Sequence, residues 1–163
     1  MLCVSLVDEI RAANERYAAT FEAGSLPVSP GRALAVVTCM DSRIDPLKAF
    51  GLELGDAHVI RNAGGIVNDE VLRSLVISHH LLGTQEAVVV GHTNCGMVTF
   101  ENRDMHERLG PASHGIDFQP FPDVAERVRE SVAAIHASPL LPGSFTATGF
   151  VFHVENGRLE PVT

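Results

Sequence analysis

A mostly parallel β-sheet flanked by helices, ending in a C-terminal β-hairpin, is the α/β fold this sequence predicts. Three observations predict it. Apolar runs of strand length alternate with helical stretches, the arrangement of a parallel sheet with helices on both faces. The runs "RALAVVTC" and "EAVVVGHT" lack polar alternation, so they read as strands buried on both sides. The stretch "FTATGFVFHVENGRLEPV" sets Asn156-Gly157 between two apolar segments, a hairpin signal. With 163 residues, 45% of them hydrophobic and 20% charged, the chain suits one soluble domain over 1–163.

The elements follow in order. Leu6, Ile10, Ala13 and Tyr17 recur at helical spacing, and Ser5 with Asp8 forms a capping pair, so a helix is expected over about 5–21. Gly and Pro in "EAGSLPVSPG" break it. The first strand, "RALAVVTC", is followed by "DPLKAFGL", a short helix opened by Asp45 and Pro46 and stopped by Gly51. "DAHVIRNAGG" is a second strand ending in a glycine turn. Asn68 caps the next helix, Asp69 and Glu70 suit its positive end, and Gly83 ends it. The third strand, "EAVVVGHT", leads into a helix expected at about 96–100. Residues 103–122, rich in Pro, Gly and His, read as a loop with at most short helices. Pro122 and Asp123 start a last helix before the hairpin.

The net charge of −8 argues against nucleic acid or an anionic membrane as partner. No apolar run approaches the length of a membrane span, and "MLCVSLVDEI" lacks the basic flank of a signal peptide. The expected compartment is the cytoplasm, where thiols stay reduced. Three cysteines then raise the question of metal or catalysis rather than disulfides. Cys3 has no partner motif nearby and reads as an ordinary thiol.

Ligands of open α/β sheets bind outside the carboxyl ends of the strands. Three strands here end in polar groups, at Cys39–Arg43, Arg61–Gly65 and His92–Cys95. If the first and third strands are neighbours, Cys39, His92 and Cys95 converge. Two thiolates and an imidazole suit zinc, and with Zn²⁺ they form a formally neutral cluster. H-x-x-C alone more often marks a packed cysteine and a hydrogen-bonded histidine than a metal site. The C-x-D-x-R on a second strand end tips the reading toward a metal.

"CMDSR", "RNAG" and "GHTNCGM", in that order, resemble the motifs of the β-class carbonic anhydrases, and the likeness runs from about the first strand to the final hairpin. The "PVSPGRALA" entry is similar to the archaeal and mycobacterial branch rather than the plant type, which carries a Gln there. The chain has no Trp, which a regulatory bicarbonate pocket in some members uses. The resemblance implies Cys39, His92 and Cys95 as zinc ligands and Asp41 with Arg43 as the catalytic dyad. It also implies a homodimer, or a dimer of dimers (a homotetramer), with active sites near the subunit interface. In the family a helix like the one near Ser5 packs across the partner subunit; its apolar face would equally suit its own sheet.

Zinc with three protein ligands keeps a fourth position for water and lowers that water's pKa, and the hydroxide attacks carbon dioxide to give bicarbonate. Asp41, two residues past Cys39, would lie on the same side if the extended backbone persists, and would orient the water. Arg43 would fork onto the carboxylate and keep it ionised. Freed from Arg43, Asp41 would instead become a fourth zinc ligand and close the site. Ala63, Gly64 and Gly65 suit a tight turn and a substrate-pocket wall, with Arg61 and Asn62 holding the loop. Two alternatives stand beside carbon dioxide hydration. Carbonyl sulfide or carbon disulfide hydrolysis uses the same chemistry on the same kind of carbon. A zinc-stabilised binding protein without activity would need neither Asp41 nor Arg43.

Overall fold

The computed structural model describes residues 5–163. Cys3 lies outside them. Five strands form one sheet in the order β2-β1-β3-β4-β5. They are β1 (Leu34–Cys39), β2 (Ala57–Asn62), β3 (Glu86–His92), β4 (Thr146–Phe152) and β5 (Leu159–Val162). The first four run parallel, and β5 turns back antiparallel on β4. The expected α/β sheet with its C-terminal hairpin is therefore the observed one. The hairpin connection spans residues 153–158, longer than a two-residue turn: the His153 amide bonds the Arg158 carbonyl at 2.8 Å, and Gly157 takes the left-handed backbone.

Alternate residues of the central strands feed two cores. Ala35, Val37, Ala87 and Val89 face α3 (Asp69–Leu82) and α5 (Val124–Ala137), meeting Val71, Leu75, Val128 and Ile135. Val36 and Val90 face the other way, toward α2 (Pro46–Phe50), Ile66 and Phe121. Helices thus cover both faces, which is why β1 and β3 show no polar alternation. Thr38 is fully buried and satisfies its hydroxyl by donating to the Val90 carbonyl at 2.9 Å, a side-chain tie between β1 and β3.

The helix ends obey their local chemistry. Asp45 caps α2 and Gly51 ends it in the left-handed region; Asn68 caps α3 and Gly83 ends it likewise. Asp123 caps α5. Two expectations change. The helix expected at 96–100 is only a single 3₁₀ turn, Gly96–Val98, after which the Thr99 amide and hydroxyl both donate to the Gly96 carbonyl. A new helix, α4 (Asn102–Leu109), then starts where Asp104 accepts from the Glu101 amide. The loop expected over 103–122 contains most of α4 and a 3₁₀ turn at Pro111–Ser113, in keeping with short helices there.

The first helix, α1 (Leu6–Ala18), is capped by Ser5, whose hydroxyl accepts from the Asp8 amide. It is shorter than the expected 5–21. None of its residues is buried, and Leu6, Val7, Ile10 and Tyr17 are all more than half exposed. Its apolar face therefore does not cover its own sheet.

Helix α5 lies so near the sheet that two strand positions admit only glycine. A Cβ on Gly149 would sit 2.5 Å from Val128 Cγ1, and one on Gly91 would sit 2.7 Å from Val124 Cγ1. Gly149→Ala should therefore overpack this layer and cost about 1–3 kcal/mol. A melting temperature lowered by about 5 °C is expected. Thermal unfolding followed by circular dichroism checks this, and an unchanged midpoint would show that α5 yields without cost.

Candidate metal centre

Parallel pairing puts the carboxyl ends of β1, β2 and β3 at one edge of the sheet, with β1 in the middle. Three loops leave that edge, and each carries part of the site.

From β1 comes Cys39, followed by a turn in which the Ile44 amide bonds the Asp41 carbonyl at 3.1 Å. The strand ends at Cys39, but the Met40 amide still bonds the Asn62 carbonyl at 2.9 Å, and Asp41 opens the turn beside the cluster. Both oxygens of the Asp41 carboxylate accept hydrogen bonds, with room left on Oδ2 for one more. Oδ1 accepts from the Arg43 amide and from Arg43 Nε, both at 2.9 Å, and Oδ2 accepts from Nη2 at 2.7 Å. This is the two-pronged geometry that suits a guanidinium and a carboxylate. Arg43 thereby holds the Asp41 carboxyl well below the usual carboxylate range. Asp41 Oδ2 also lies 3.8 Å from His92 Nε2.

From β2 comes the turn Ala63–Gly65. Gly64 and Gly65 both have positive φ. At Gly65 a Cβ would fall 2.9 Å from the Cys39 amide nitrogen, a main-chain atom that cannot step aside. This close approach lets the Gly64 amide point at Cys39 Sγ, 3.4 Å away. Asn62 braces the turn by exchanging two hydrogen bonds with the backbone of Ile66. Arg61 reaches across to β1 and donates to the Cys39 carbonyl at 2.9 Å and the Asp41 carbonyl at 2.7 Å.

From β3 come His92 and, after a left-handed residue at Asn94 (φ 52°), Cys95. Residues Cys39, His92 and Cys95 are all buried, and their ligand atoms lie within 4.8 Å of one another. His92 Nδ1 is 2.8 Å from the Thr93 carbonyl, which assigns the proton to Nδ1. Its Nε2 is then a lone-pair acceptor, fully buried and without a partner. A buried unpaired nitrogen beside two buried thiols is costly unless something with positive charge sits among them. Electrostatics agree. The Cys95 thiol, most of all, pulls the Cys39 thiol well below its ordinary range against the effect of burial, with His92 and the Asp41 and Gly64 amides adding to the pull. Cys95, on the proton-holding side of the pair, is pushed up. Burial works most strongly to lower the His92 imidazole, but the nearby Cys39 sulfur and the Thr93 carbonyl outweigh this and raise it. The donor set and the orphaned nitrogen fit a thiophilic cation such as zinc.

The structure thus brings Cys39, His92 and Cys95 into one cluster with Asp41 beside it. Asp41 is paired with Arg43 in this arrangement and stands outside the cluster. Gly64 borders the cluster through its amide and Gly65 abuts the backbone of Cys39, with Ala63 at the start of the same turn. Other histidines are occupied elsewhere: His58 with Ser78, His79 with the Thr84 carbonyl, His80 with the Leu140 carbonyl, His106 with Ser113 and His153 with Glu160. Sequence reasoning missed the part played by Thr93, Asn94 and Glu155. Glu155 accepts from the Thr93 hydroxyl at 2.7 Å and from the Asn94 amide. The signal was present in outline, because a fourth parallel strand must also open its carboxyl end at this edge.

No helix among the described residues is long and apolar enough to cross a membrane. A family model described as carbonic anhydrase matches residues 34–137. The chain is 41% identical to Beta-carbonic anhydrase 1 of Mycobacterium bovis, over 98% of this chain and 99% of that one. It is 33% identical to a carbon disulfide hydrolase of Acidithiobacillus thiooxidans, over 81% of this chain and 73% of that one. The crystal structure of a carbonic anhydrase from Streptococcus mutans superposes with a TM-score of 0.91 at 43% identity, covering 99% of this chain and all of the other. A parallel sheet that gathers two cysteines and a histidine at one edge, a family match over most of the chain and near full-length relatives agree: this chain belongs to the β-carbonic anhydrase family.

Proposed function

We propose that the chain catalyses the reversible hydration of carbon dioxide to bicarbonate and a proton, with one zinc ion held by Cys39, His92 and Cys95. The observation that carries this reading is the buried, unpaired Nε2 of His92 among two buried thiols, beside a carboxylate that Arg43 holds in one orientation. Two thiolates balance the charge of the ion, and the Thr93 carbonyl fixes the tautomer that leaves Nε2 free to ligate. Bound there, zinc supplies a Lewis acid that makes water a nucleophile near neutral pH, chemistry for which the all-histidine carbonic anhydrases are the reference case.

The chain's own residues do the rest. Asp41 accepts a hydrogen bond from the reacting water and aims it. Arg43 keeps that carboxylate ionised and away from the cluster, since a released Asp41 would fill the open position itself. The Ala63–Gly65 turn presents backbone and small side chains, a wall that admits a linear apolar gas. The Gly64 amide offsets charge on the Cys39 sulfur.

The likeness to a carbon disulfide hydrolase favours a second reading, hydrolysis of that isoelectronic molecule at the same centre. The higher identity and fuller coverage of the carbonic anhydrase relative favour carbon dioxide. We further read residues 1–163 as one domain of a cytoplasmic homodimer, or dimer of dimers. A helix of 13 residues with nothing buried is marginal alone in water, so the apolar face of α1 needs a cover, and a second copy supplies it.

One zinc per chain is expected by metal analysis, with turnover of carbon dioxide exceeding that of carbon disulfide in the same preparation. Cys39→Ser or Cys95→Ser should remove zinc and turnover together, and full zinc retention in either variant would overturn the ligand assignment. Arg43→Ala should keep its zinc yet lose about a hundredfold in rate, the scale of a misplaced reacting group; a full-rate variant would reduce the Asp41–Arg43 pair to a simple ion pair. Light scattering at micromolar concentration should find a dimer or tetramer, and a fully active monomer would sink the proposed cover for α1.

A further inference from the structure

Strand β4 runs parallel to β3 with Phe152 opposite His92, so the segment leaving β4 emerges beside the loop that joins two of the cluster residues. Glu155 sits on that segment. It is exposed, yet both of its oxygens are committed to this loop. One accepts from the Thr93 hydroxyl at 2.7 Å, and the other accepts from Asn94 Nδ2. Thr93 is held from two further sides: its amide donates to the Phe152 carbonyl at 3.0 Å, and its hydroxyl oxygen accepts from the Val154 amide at 3.1 Å.

What this clamp holds is unusual backbone. Asn94 has φ 52°, in the left-handed region that asparagine tolerates better than most residues other than glycine. That conformation turns the Asn94 carbonyl toward Arg43, which donates to it from Nη2 at 3.1 Å. The same Nη2 donates to Asp41 Oδ2 at 2.7 Å. One guanidinium nitrogen therefore joins the β3 loop to the carboxylate on the β1 loop, and Glu155 stands at the far end of the chain of contacts. The Thr93 hydroxyl, first of all, holds the Glu155 carboxyl below its usual range, and the charge of Arg43 acts in the same direction.

We infer that Glu155 is a positioning residue for this site: by clamping Thr93 and Asn94 it fixes the left-handed turn between His92 and Cys95 and, through the Asn94 carbonyl, sets Arg43 against Asp41. The inference rests on the reading of the cluster as a metal centre served by Asp41 and Arg43. Without the clamp, Asn94 relaxes, Arg43 loses one of its two acceptor residues, and Asp41 loses its fixed aim.

The test compares wild type with Glu155→Ala and Glu155→Gln. Glutamine keeps the length of the side chain; it can accept from Asn94 Nδ2 and donate to Thr93 Oγ1, so it should preserve the clamp without the charge. Three readouts are taken: the exchange rate of the Arg43 Nε–H signal by nitrogen-15 NMR, the absorption spectrum of the cobalt-substituted protein, and kcat and KM for carbon dioxide. In Glu155→Ala the Arg43 signal should exchange at least about fivefold faster, the cobalt bands should shift, and kcat should fall about tenfold with KM within about twofold, a smaller loss than direct misplacement of a reacting group. Glu155→Gln should return all three close to wild type. An alanine variant with the wild-type Arg43 signal and cobalt spectrum, even if less heat-stable, overturns the inference. So does a glutamine variant as impaired as alanine, which would assign the effect to charge alone. A wild-type protein that binds no metal or leaves carbon dioxide untouched would defeat the functional reading instead, and the Arg43 signal would still decide whether the clamp exists.

Discussion

The contact of Gly65 with the backbone of Thr38 and Cys39 sets the scale of the site. With no side chain at Gly65, the β2 turn closes onto the end of β1, and a methyl group there would meet main-chain atoms at 2.9 Å. That closeness aims the Gly64 amide at Cys39 Sγ and leaves Arg61 within reach of the Cys39 and Asp41 carbonyls. It also fixes the side from which Cys39 meets His92 and Cys95. Separate the two strand ends by one carbon atom and the sulfur loses its amide, the turn loses its brace, and Asp41 loses its anchor.

Around that contact the charges are arranged in layers. The innermost groups, two cysteines and an imidazole, are buried, and as thiolates the two cysteines would neutralise a divalent ion. Asp41 is next, mostly covered, and Arg43 is half exposed above it. The pair can therefore remain ionised without the large desolvation penalty of a deeply buried ion pair. Glu155 lies outermost, in water, where its grip comes from directed hydrogen bonds more than from charge. Solvation increases outward.

Much of this was legible in the chain. The unbroken apolar character of β1 and β3 marked them as central strands, and centrality made them neighbours. Asn68, Asp45, Gly51 and Gly83 announced helix ends because caps and left-handed stops are local chemistry. The motifs on three strand ends pointed to the cluster. What could not be read depended on contacts between distant segments. The orientation of the Asp41 carboxylate is set by Arg43, which lies beyond the strand end, and not by periodicity alone. The stretch after Cys95 makes only one helical turn, and no residue within it announces that stop. Glu155, one acidic residue in a hairpin connection, carries no periodic or motif signal; only the parallel pairing of β3 with β4 reveals its neighbours. The helical pattern of α1 was clear, but periodicity does not say what lies opposite an apolar face.

The frame around the site is gripped largely through main-chain carbonyls. Arg61 holds those of Cys39 and Asp41, and Arg43 holds that of Asn94. A carbonyl is present whatever the side chain, so such a grip is blind to residue identity. Met40 and Ser42, which alternate with Cys39, Asp41 and Arg43, point to solvent and touch none of these bonds. Neither side chain carries a hydrogen bond of the site, while Asn94, bound by its left-handed backbone and by its side chain, has only a few residue types open to it. A substitution at Met40 or Ser42 that leaves the main chain in place would therefore leave every one of these grips intact.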